Sequence, residues 1–143
     1  MWTVYLSGEI HSDWRERIEA GAKDLPITFT SPVTNHDASD AAGDHLGENQ
    51  DSYWRDHQSA KVNAIRTKTL IESADVVVVR FGEKYKQWNA AFDAGYCAAL
   101  GTPYITLHDE AIVHPLKEVD AAAQAWAKTP EQVVEILKYT LTA

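Results

Sequence analysis

The chain has 143 residues, of which 45% are apolar and 24% charged, and its formal net charge is −8. This length predicts one domain that buries roughly two thirds of the surface exposed by the unfolded chain. The negative charge argues against binding to a nucleic acid polymer, because Lys and Arg supply most of the affinity for phosphates. No apolar run approaches the roughly 20 residues of a membrane span, so we expect no membrane association.

The amino terminus and the cysteine content favour a cytoplasmic protein. Residues 1–6 have no basic region before their apolar stretch and therefore lack the pattern of a signal peptide. Cys97 is the single cysteine, which excludes an internal disulfide and fits a reducing compartment. It lies in an apolar stretch, which favours a small buried side chain over a reactive thiol.

The first half of the chain alternates between predicted strands and helices. Residues 2–8 form a β-branched and aromatic run, which predicts a strand. A helix is predicted from about Ser12 to Leu25, followed by a short strand from Ile27 to Val33. Residues 34–58 form a long polar connection, and residues 59–74 have the apolar spacing of a helix.

The second half repeats this alternation. Residues 76–79 are four valines, an unbroken apolar run typical of a strand buried on both faces of a parallel sheet. A helix is predicted from about Trp88 to Leu100. The remaining predicted elements are a strand at 103–107, a helix at 115–122, a weak strand at 123–128 and a final helix that opens with the capping box at 129–132.

Strand and helix alternation of this kind predicts a single doubly wound α/β domain, Rossmann- or flavodoxin-like, with about five parallel strands. In such folds ligands bind at the carboxyl ends of the strands, where the strand order reverses. The end of the first strand, the end of the four-valine strand and the helix at 88–100 therefore become the candidate site.

The helix at 88–100 is apolar on every side, which predicts burial by the sheet and by a second subunit, hence a homo-oligomer. Asp93 lies inside this helix. An isolated buried carboxylate is costly or becomes protonated, so its presence requires a reason. It is either a structural residue bonded to a neighbouring loop or a nucleophile or base at the mouth of the site; we favour the second.

Three stretches resemble the core motif of nucleoside 2-deoxyribosyltransferases: residues 74–79, residues 92–96 (Phe-Asp-Ala-Gly-Tyr) and residues 98–105. In that family a Glu attacks the anomeric carbon of a nucleoside and forms a covalent glycosyl intermediate. The resemblance places Asp93 at the nucleophile's position and Tyr5 where the family has a Tyr that hydrogen-bonds it. The run at 79–96 is more closely similar to the YtoQ group, small proteins classed with these transferases.

Four positions depart from the transferase pattern. Asp93 replaces Glu and is one methylene shorter, and Gln87 stands where the family has an Asp that handles the base. Asn89-Ala90 replaces a Gly-Thr or Gly-Ser pair, and Thr67 replaces an acidic residue. Base recognition is therefore expected to differ. The shorter carboxylate is also compatible with activation of water, which would give a hydrolase.

The end of the first strand supplies further candidates. Gly8 permits close approach of a ligand to the backbone. Glu9 is a second carboxylate that would accept a sugar hydroxyl or act as acid/base partner, and His11 would contact the ligand. The alternatives are a solvated charge at a strand end for Glu9 and simple polarity at a helix start for His11.

The loop at 80–89 mixes cations with aromatic residues and leads directly to Asp93. We expect it to bind substrate through Arg80, Gly82, Gln87, Trp88 and Asn89. Trp88 or Tyr85 would stack on a base, and Arg80 would meet a phosphate because a buried strand fixes its position. The alternative is a surface loop that caps the sheet.

The segment at 34–58 is rich in Asp, Glu and His, but its spacings match neither a zinc signature nor an EF-hand loop, so we predict no metal and no cofactor. It is either a lid carrying Trp54 or an acidic solvated excursion. For the protein as a whole three hypotheses remain: an N-glycosidic-bond transferase or hydrolase acting on a nucleoside or nucleotide, a non-catalytic sensor of such a ligand, and an N-ribosyl hydrolase of a modified nucleotide.

Overall fold

A computed structural model describes residues 1–34, 38, 41–43, 52–83 and 87–142. In these ranges the elements follow one another as β1 (Trp2–Gly8), α1 (Trp14–Gly21), β2 (Ile27–Thr30), α2 (Ser52–Glu72), β3 (Val76–Arg80), α3 (Trp88–Leu100), β4 (Tyr104–Leu107), α4 (Lys117–Ala122), β5 (Ala125–Ala127) and α5 (Pro130–Thr142). A short 3-10 turn at Glu110–Ile112 joins β4 to α4. None of the described helices is both long and apolar enough to cross a bilayer.

The five strands form one parallel sheet in the order β2-β1-β3-β4-β5. The chain moves outward from β1 to β2, returns to β3 beside β1, and then moves outward in the other direction. The strand order therefore reverses between β1 and β3, and this is the point where α/β sheets bind ligands. The predicted doubly wound parallel α/β class is confirmed.

Side chains that alternate along each strand pack against two separate sets of helices. One face of the sheet packs on α1 and α5 through a cluster that includes Leu6, Val78 and Leu107. The other face packs on α2 and α3 through a cluster that includes Tyr5 and Val79. Because residues two apart share a face, Ser7 lies on the α3 side, level with its register partner Val79.

Local signals account for several element ends. Gly101 ends α3 in the left-handed conformation at a φ of 77°, which glycine adopts at low cost. Thr129 caps α5, since its hydroxyl accepts the Gln132 N–H at 3.2 Å. The Gln132 side chain reaches back to the N–H of Lys128 at 2.7 Å, one residue before the usual partner in a capping box.

One sequence prediction about the helices is wrong. The connection at 34–58 is not irregular throughout, because α2 begins at Ser52 and carries Trp54 and His57. Tyr53 and His57 contact each other one turn apart, with ring centroids at 4.0 Å, and Trp54 is exposed on the helix. Most of the acidic and histidine residues of this segment, including His36 and His45, lie outside the described residues.

Within one chain the helix α3 is covered on its sheet side and exposed on its outer face. Ala90, Ala94 and Cys97 face the sheet, whereas Trp88 is 75% exposed and Phe92 77% exposed. Composition cannot show which face of α3 packs on the sheet, because apolar residues occupy both faces. The residues that contact the sheet are the small ones. Burial raises the pKa of the Cys97 thiol to about 12, which agrees with the prediction of an unreactive buried cysteine.

Candidate active site

Asp93 lies on α3 where the helix passes β1, and its carboxylate is partly buried. The Ser7 hydroxyl of β1 donates to Asp93 Oδ2 at 2.6 Å. Among the described residues Oδ1 accepts no hydrogen bond. Burial raises the pKa of Asp93 above its ordinary value, and the hydrogen bond from Ser7 opposes that rise. The carboxylate is thus held by one side chain and is not tied up by the main chain.

Tyr5 is fully buried two residues before Ser7, on the same face of β1. Burial, with a smaller contribution from the nearby Asp93 charge, raises the pKa of Tyr5 to about 12, and no hydrogen bond joins its hydroxyl to Asp93 among the described residues. The expected hydrogen bond from Tyr5 to Asp93 is therefore replaced by the one from Ser7. The alternation of strand residues could have pointed to Ser7, which is closer to the carboxyl end of β1.

Gly8 and Gly82 allow the ends of β1 and β3 to pack directly on each other. Gly8 has a φ of 113°, and a Cβ added there would lie 2.2 Å from the Arg80 carbonyl oxygen. A Cβ added at Gly82 would lie 2.8 Å from Glu9 Cγ. Protein atoms, and not a ligand, take up the space that Gly8 was predicted to leave for a substrate.

Glu9 is buried, and its carboxylate closes the turn into α1. Oε1 accepts the backbone N–H of His11, and Oε2 accepts the Ser12 hydroxyl at 2.6 Å. Its backbone carbonyl accepts the Trp14 indole N–H at 2.7 Å. Glu9 is therefore not the solvated charge that was the alternative prediction for this residue, because its own turn holds the carboxylate. The His11 side chain is exposed beside it.

Arg15 of α1, which the sequence did not single out, binds the backbone at the end of β1. Its buried guanidinium donates to the carbonyl oxygens of Leu6 at 3.1 Å, Gly8 at 3.0 Å and Glu9 at 2.6 Å. Burial lowers the pKa of Arg15 to about 10. Three bonds on either side of Ser7 fix the strand end from which Ser7 reaches Asp93.

The residues at the start of α3 lie on the same edge. The Gln87 amide oxygen accepts the Gly82 N–H at 2.8 Å and so closes the loop that follows β3. Asn89 is exposed one helical turn before Asp93, and Trp88 is exposed beside it. Tyr85, the other predicted stacking residue, lies outside the described residues.

Arg80 departs from the predicted arrangement, in which it joined Asp93 in one pocket. As the last residue of β3 it alternates with Val79, so its side chain leaves the sheet on the α1 and α5 face, opposite Ser7 and Asp93. Its Nη1 is 3.5 Å from the Leu107 carbonyl oxygen.

Farther along the edge His108 is fully buried at the end of β4. Its Nε2 lies 2.8 Å from Asp120 Oδ2, its Nδ1 lies 2.8 Å from the Asp109 carbonyl oxygen, and its ring stacks on Trp126. In the described ranges, no three His, Cys, Asp or Glu side chains are grouped so that they would hold a metal.

Comparison with solved structures defines the class of the protein. The fold matches a 2-deoxyribosyltransferase from Bacillus psychrosaccharolyticus with a TM-score of 0.60 and 18% identity, covering 97% of this chain and 95% of the other. It matches a conserved protein from Enterococcus faecalis V583 with a TM-score of 0.64 and 16% identity, covering 99% of both chains. The parallel sheet is therefore that of the 2-deoxyribosyltransferase-like α/β proteins.

Sequence similarity then gives the family. The family described as Nucleoside 2-deoxyribosyltransferase YtoQ matches residues 5–141. The chain is also 45% identical over 139 residues to the protein YtoQ of Bacillus subtilis (strain 168), covering 95% of this chain and 94% of that one. The chain belongs to the YtoQ nucleoside 2-deoxyribosyltransferase family, which confirms the resemblance found in the motifs.

Proposed function

We propose that the protein breaks the N-glycosidic bond of a nucleoside or nucleotide, with Asp93 as the nucleophile. One observation carries the proposal: the partly buried Asp93 carboxylate, held through one oxygen by Ser7, lies at the carboxyl edge where the strand order reverses. Its place in the chain also matches the nucleophile position of the transferase motif.

In the proposed reaction Asp93 Oδ1 attacks the anomeric carbon while Ser7 holds Oδ2. The bond from that carbon to the base nitrogen breaks, the base leaves with the electron pair and is protonated, and an ester to Asp93 forms. The charge that develops on the sugar is stabilised by the adjacent carboxylate. A second base then displaces Asp93 and completes transfer, or water does so and completes hydrolysis.

The surrounding residues are assigned supporting roles in this proposal. Asn89 and the free amide nitrogen of Gln87 hydrogen-bond the base, and Trp88 stacks on it at the start of α3. The remaining lone pairs of the Glu9 carboxylate accept a sugar hydroxyl, and Tyr5 keeps its neutral hydroxyl under the site. Gly8, Gly82 and the exposed His11 form its rim.

The test is a panel of nucleosides and nucleoside monophosphates incubated with the protein, with released base measured by chromatography. Parallel reactions with and without an acceptor base separate transfer from hydrolysis. The proposal predicts base release that Asp93→Asn abolishes. No release from any member of the panel, with folded protein, would refute it.

A non-catalytic nucleoside- or nucleotide-binding protein is the second candidate function. The observation that favours it is that Asp93 receives its hydrogen bond from Ser7 and, among the described residues, lacks the tyrosine partner of the transferase motif. A binding protein would hold a nucleoside equally well before and after Asp93→Asn and would release no base. A glycosidic-bond enzyme would keep binding in this variant and lose turnover.

We further propose that two copies pair through α3 in a cytoplasmic homo-oligomer. Trp88, Phe92, Gly95 and Ala99 recur at helical spacing on the outer face of α3 and are all exposed. A Cβ added at Gly95 would meet no atom within 4 Å, so another backbone has room to approach there. Exposed aromatic residues grouped in this way are typical of subunit interfaces.

A further inference from the structure

Arg80 is a cation whose N–H donors are not all hydrogen-bonded within the described part of the chain. It ends β3 next to the reversal of strand order, and its side chain is partly buried. The Nε atom is buried and has no hydrogen-bond partner among the described residues, and the contact of Nη1 with the Leu107 carbonyl oxygen is long, at 3.5 Å. Such a group requires an explanation, because buried donors in folded proteins are nearly always paired.

The other arginines in the described part of the chain are better satisfied. Arg15 donates to three carbonyl oxygens, Arg17 forms a bidentate pair with Glu131 at 2.7 Å, and Arg66 donates to the Ser31 carbonyl oxygen at 2.7 Å. Lys128, which also lies at the carboxyl edge, is paired with Glu110. Arg80 differs from these four residues in having a buried donor that no described group accepts.

We propose that Arg80 binds the phosphoryl group of a nucleoside monophosphate whose sugar lies over Asp93. This inference rests on the proposed N-glycosidic function and names its substrate class. A guanidinium presents its donors as a planar fork that matches two phosphate oxygens. A single such fork, in a chain of net charge −8, suits one phosphoryl group better than a di- or triphosphate.

The positions of the two anchors fit a ligand that crosses the edge of the sheet. Gly8 is the register partner of Arg80, and the residue before it is Ser7, which holds Asp93. The backbone positions that carry Arg80 and Ser7 are therefore one strand and one residue apart, about 5 Å and about 3 Å in the two directions. Asp93 receives the sugar on the α3 side, and Arg80 receives the phosphoryl group on the α1 and α5 side.

Isothermal titration calorimetry tests the proposal with four probes: a nucleoside, its 5′-monophosphate, ribose 5-phosphate and inorganic phosphate. The unaltered protein should bind the monophosphate at least about 10-fold more tightly than the nucleoside. Arg80→Gln should remove that preference while leaving nucleoside affinity unchanged, and Arg80→Lys should retain part of it. Arg17→Gln, an arginine exposed on α1, is the matched control and should keep the full preference. Circular dichroism of each variant verifies that it is folded.

Equal affinity for nucleoside and monophosphate, or a preference that survives Arg80→Gln, would overturn the phosphoryl site. Inorganic phosphate that binds as tightly as the monophosphate would overturn the assignment to a nucleotide. The two proposals fail separately. Base release from nucleoside monophosphates that is unchanged in Arg80→Gln leaves the glycosidic function standing without the phosphoryl site, whereas an Arg80-dependent preference without any base release leaves the site standing without the glycosidic function.

Discussion

The Ser7 hydroxyl and burial have opposite effects on the charge of Asp93. Burial favours the protonated carboxyl, whereas the Ser7 hydroxyl, as a donor to Oδ2, favours the carboxylate. A nucleophile must be ionised to attack, so the proposed chemistry depends on this hydrogen bond.

Ser7→Ala should therefore raise the pKa of Asp93 further, because it removes the interaction that lowers it. We expect the acid limb of the pH profile of kcat/KM to move to higher pH. The carboxyl signal of Asp93, followed by carbon NMR during a pH titration, gives the same reading without turnover. Ser12→Ala, which removes a hydroxyl bonded to Glu9, is the control and should leave the Asp93 titration in place. An unchanged titration in Ser7→Ala would contradict this role.

Asp93→Asn should lower turnover at least about 10³-fold and raise the melting temperature at pH 7. The folded-state pKa of Asp93 lies above its ordinary value, so the protonated carboxyl favours folding at low pH. That contribution is lost as the pH rises through the folded-state pKa. Asn stays neutral and avoids the cost of the buried charge. Calorimetric melting at several pH values measures the difference, which should vanish in acid; the exposed Asp13→Asn is the control.

The sequence could single out Asp93 as a candidate because a lone carboxylate in an apolar helix is unusual. Alternation places Ser7 on the same face of β1 as Tyr5, but its bond to Asp93 could not be predicted until the position of β1 against α3 was known. The sequence also could not predict that Glu9 would bond its own turn, which depends on the conformation of residues 9–12. The sequence indicated that β3 determines the position of Arg80. It could not indicate from which face of the sheet Arg80 projects, because that depends on which residues of β3 alternate to each face.

At the scale of the elements, the contact between the ends of β1 and β3 organises the site. The two strands pair in parallel from Val4 with Val76 to Gly8 with Arg80, and the Glu9 N–H then donates to the Arg80 carbonyl oxygen at 3.2 Å. This contact brings together the backbone of Ser7, whose side chain holds Asp93, and that of Arg80, which is proposed to bind the phosphoryl group. A change in the spacing of these strand ends would separate them.

Gly8→Ala should destabilise the fold and weaken ligand binding. The added Cβ would lie 2.2 Å from a backbone oxygen, at a φ of 113° that L residues rarely adopt. We expect a loss of about 3 kcal/mol or more in the free energy of unfolding, measured by urea denaturation. Gly95→Ala is the matched control, because its Cβ meets no atom within 4 Å and alanine favours the helix by about 1 kcal/mol. Equal stability of both variants would contradict the close packing.

The sequence predicted the bounds of α3, and its carboxyl end was clear because Gly101 and Pro103 follow it. It could not predict which face is exposed, since a helix that is apolar throughout has no periodic contrast. The start of α2 was missed for a related reason. Residues 52–58 are mostly polar, so no apolar stripe marks them as helix, and their aromatic contacts with one another replace contacts with a core.

At the scale of the whole molecule, strand and helix alternation was sufficient to predict the parallel sheet, its class and its number of strands. The strand order was not predictable from local patterns, because it depends on which crossover passes over which strand. The two clusters of buried residues then follow from alternation within each strand. The segment between β2 and α2 has too little apolar contrast to predict its path.

Phe92→Lys should dissociate the proposed homo-oligomer. A charge placed in the middle of the apolar outer face of α3 cannot be buried without a partner. Light scattering coupled to size exclusion should show the mass falling to that of a single 15.9 kDa chain. Tyr139→Lys, on α5 at the opposite face and 76% exposed, should leave the mass unchanged. An unaltered protein that is already monomeric at working concentration would contradict the pairing.

The position of β1 also governs when the protein can fold. This strand lies inside the sheet, yet its partner β3 starts only at Val76. Just before β3, Asp75 accepts the N–H of Thr3, a residue 72 positions earlier in the chain. Contacts so distant in sequence slow folding, and a strand that waits for its neighbour presents an open edge. During synthesis β1 therefore remains prone to aggregation until β3 has left the ribosome, and fragments that end before Val76 are expected to be insoluble.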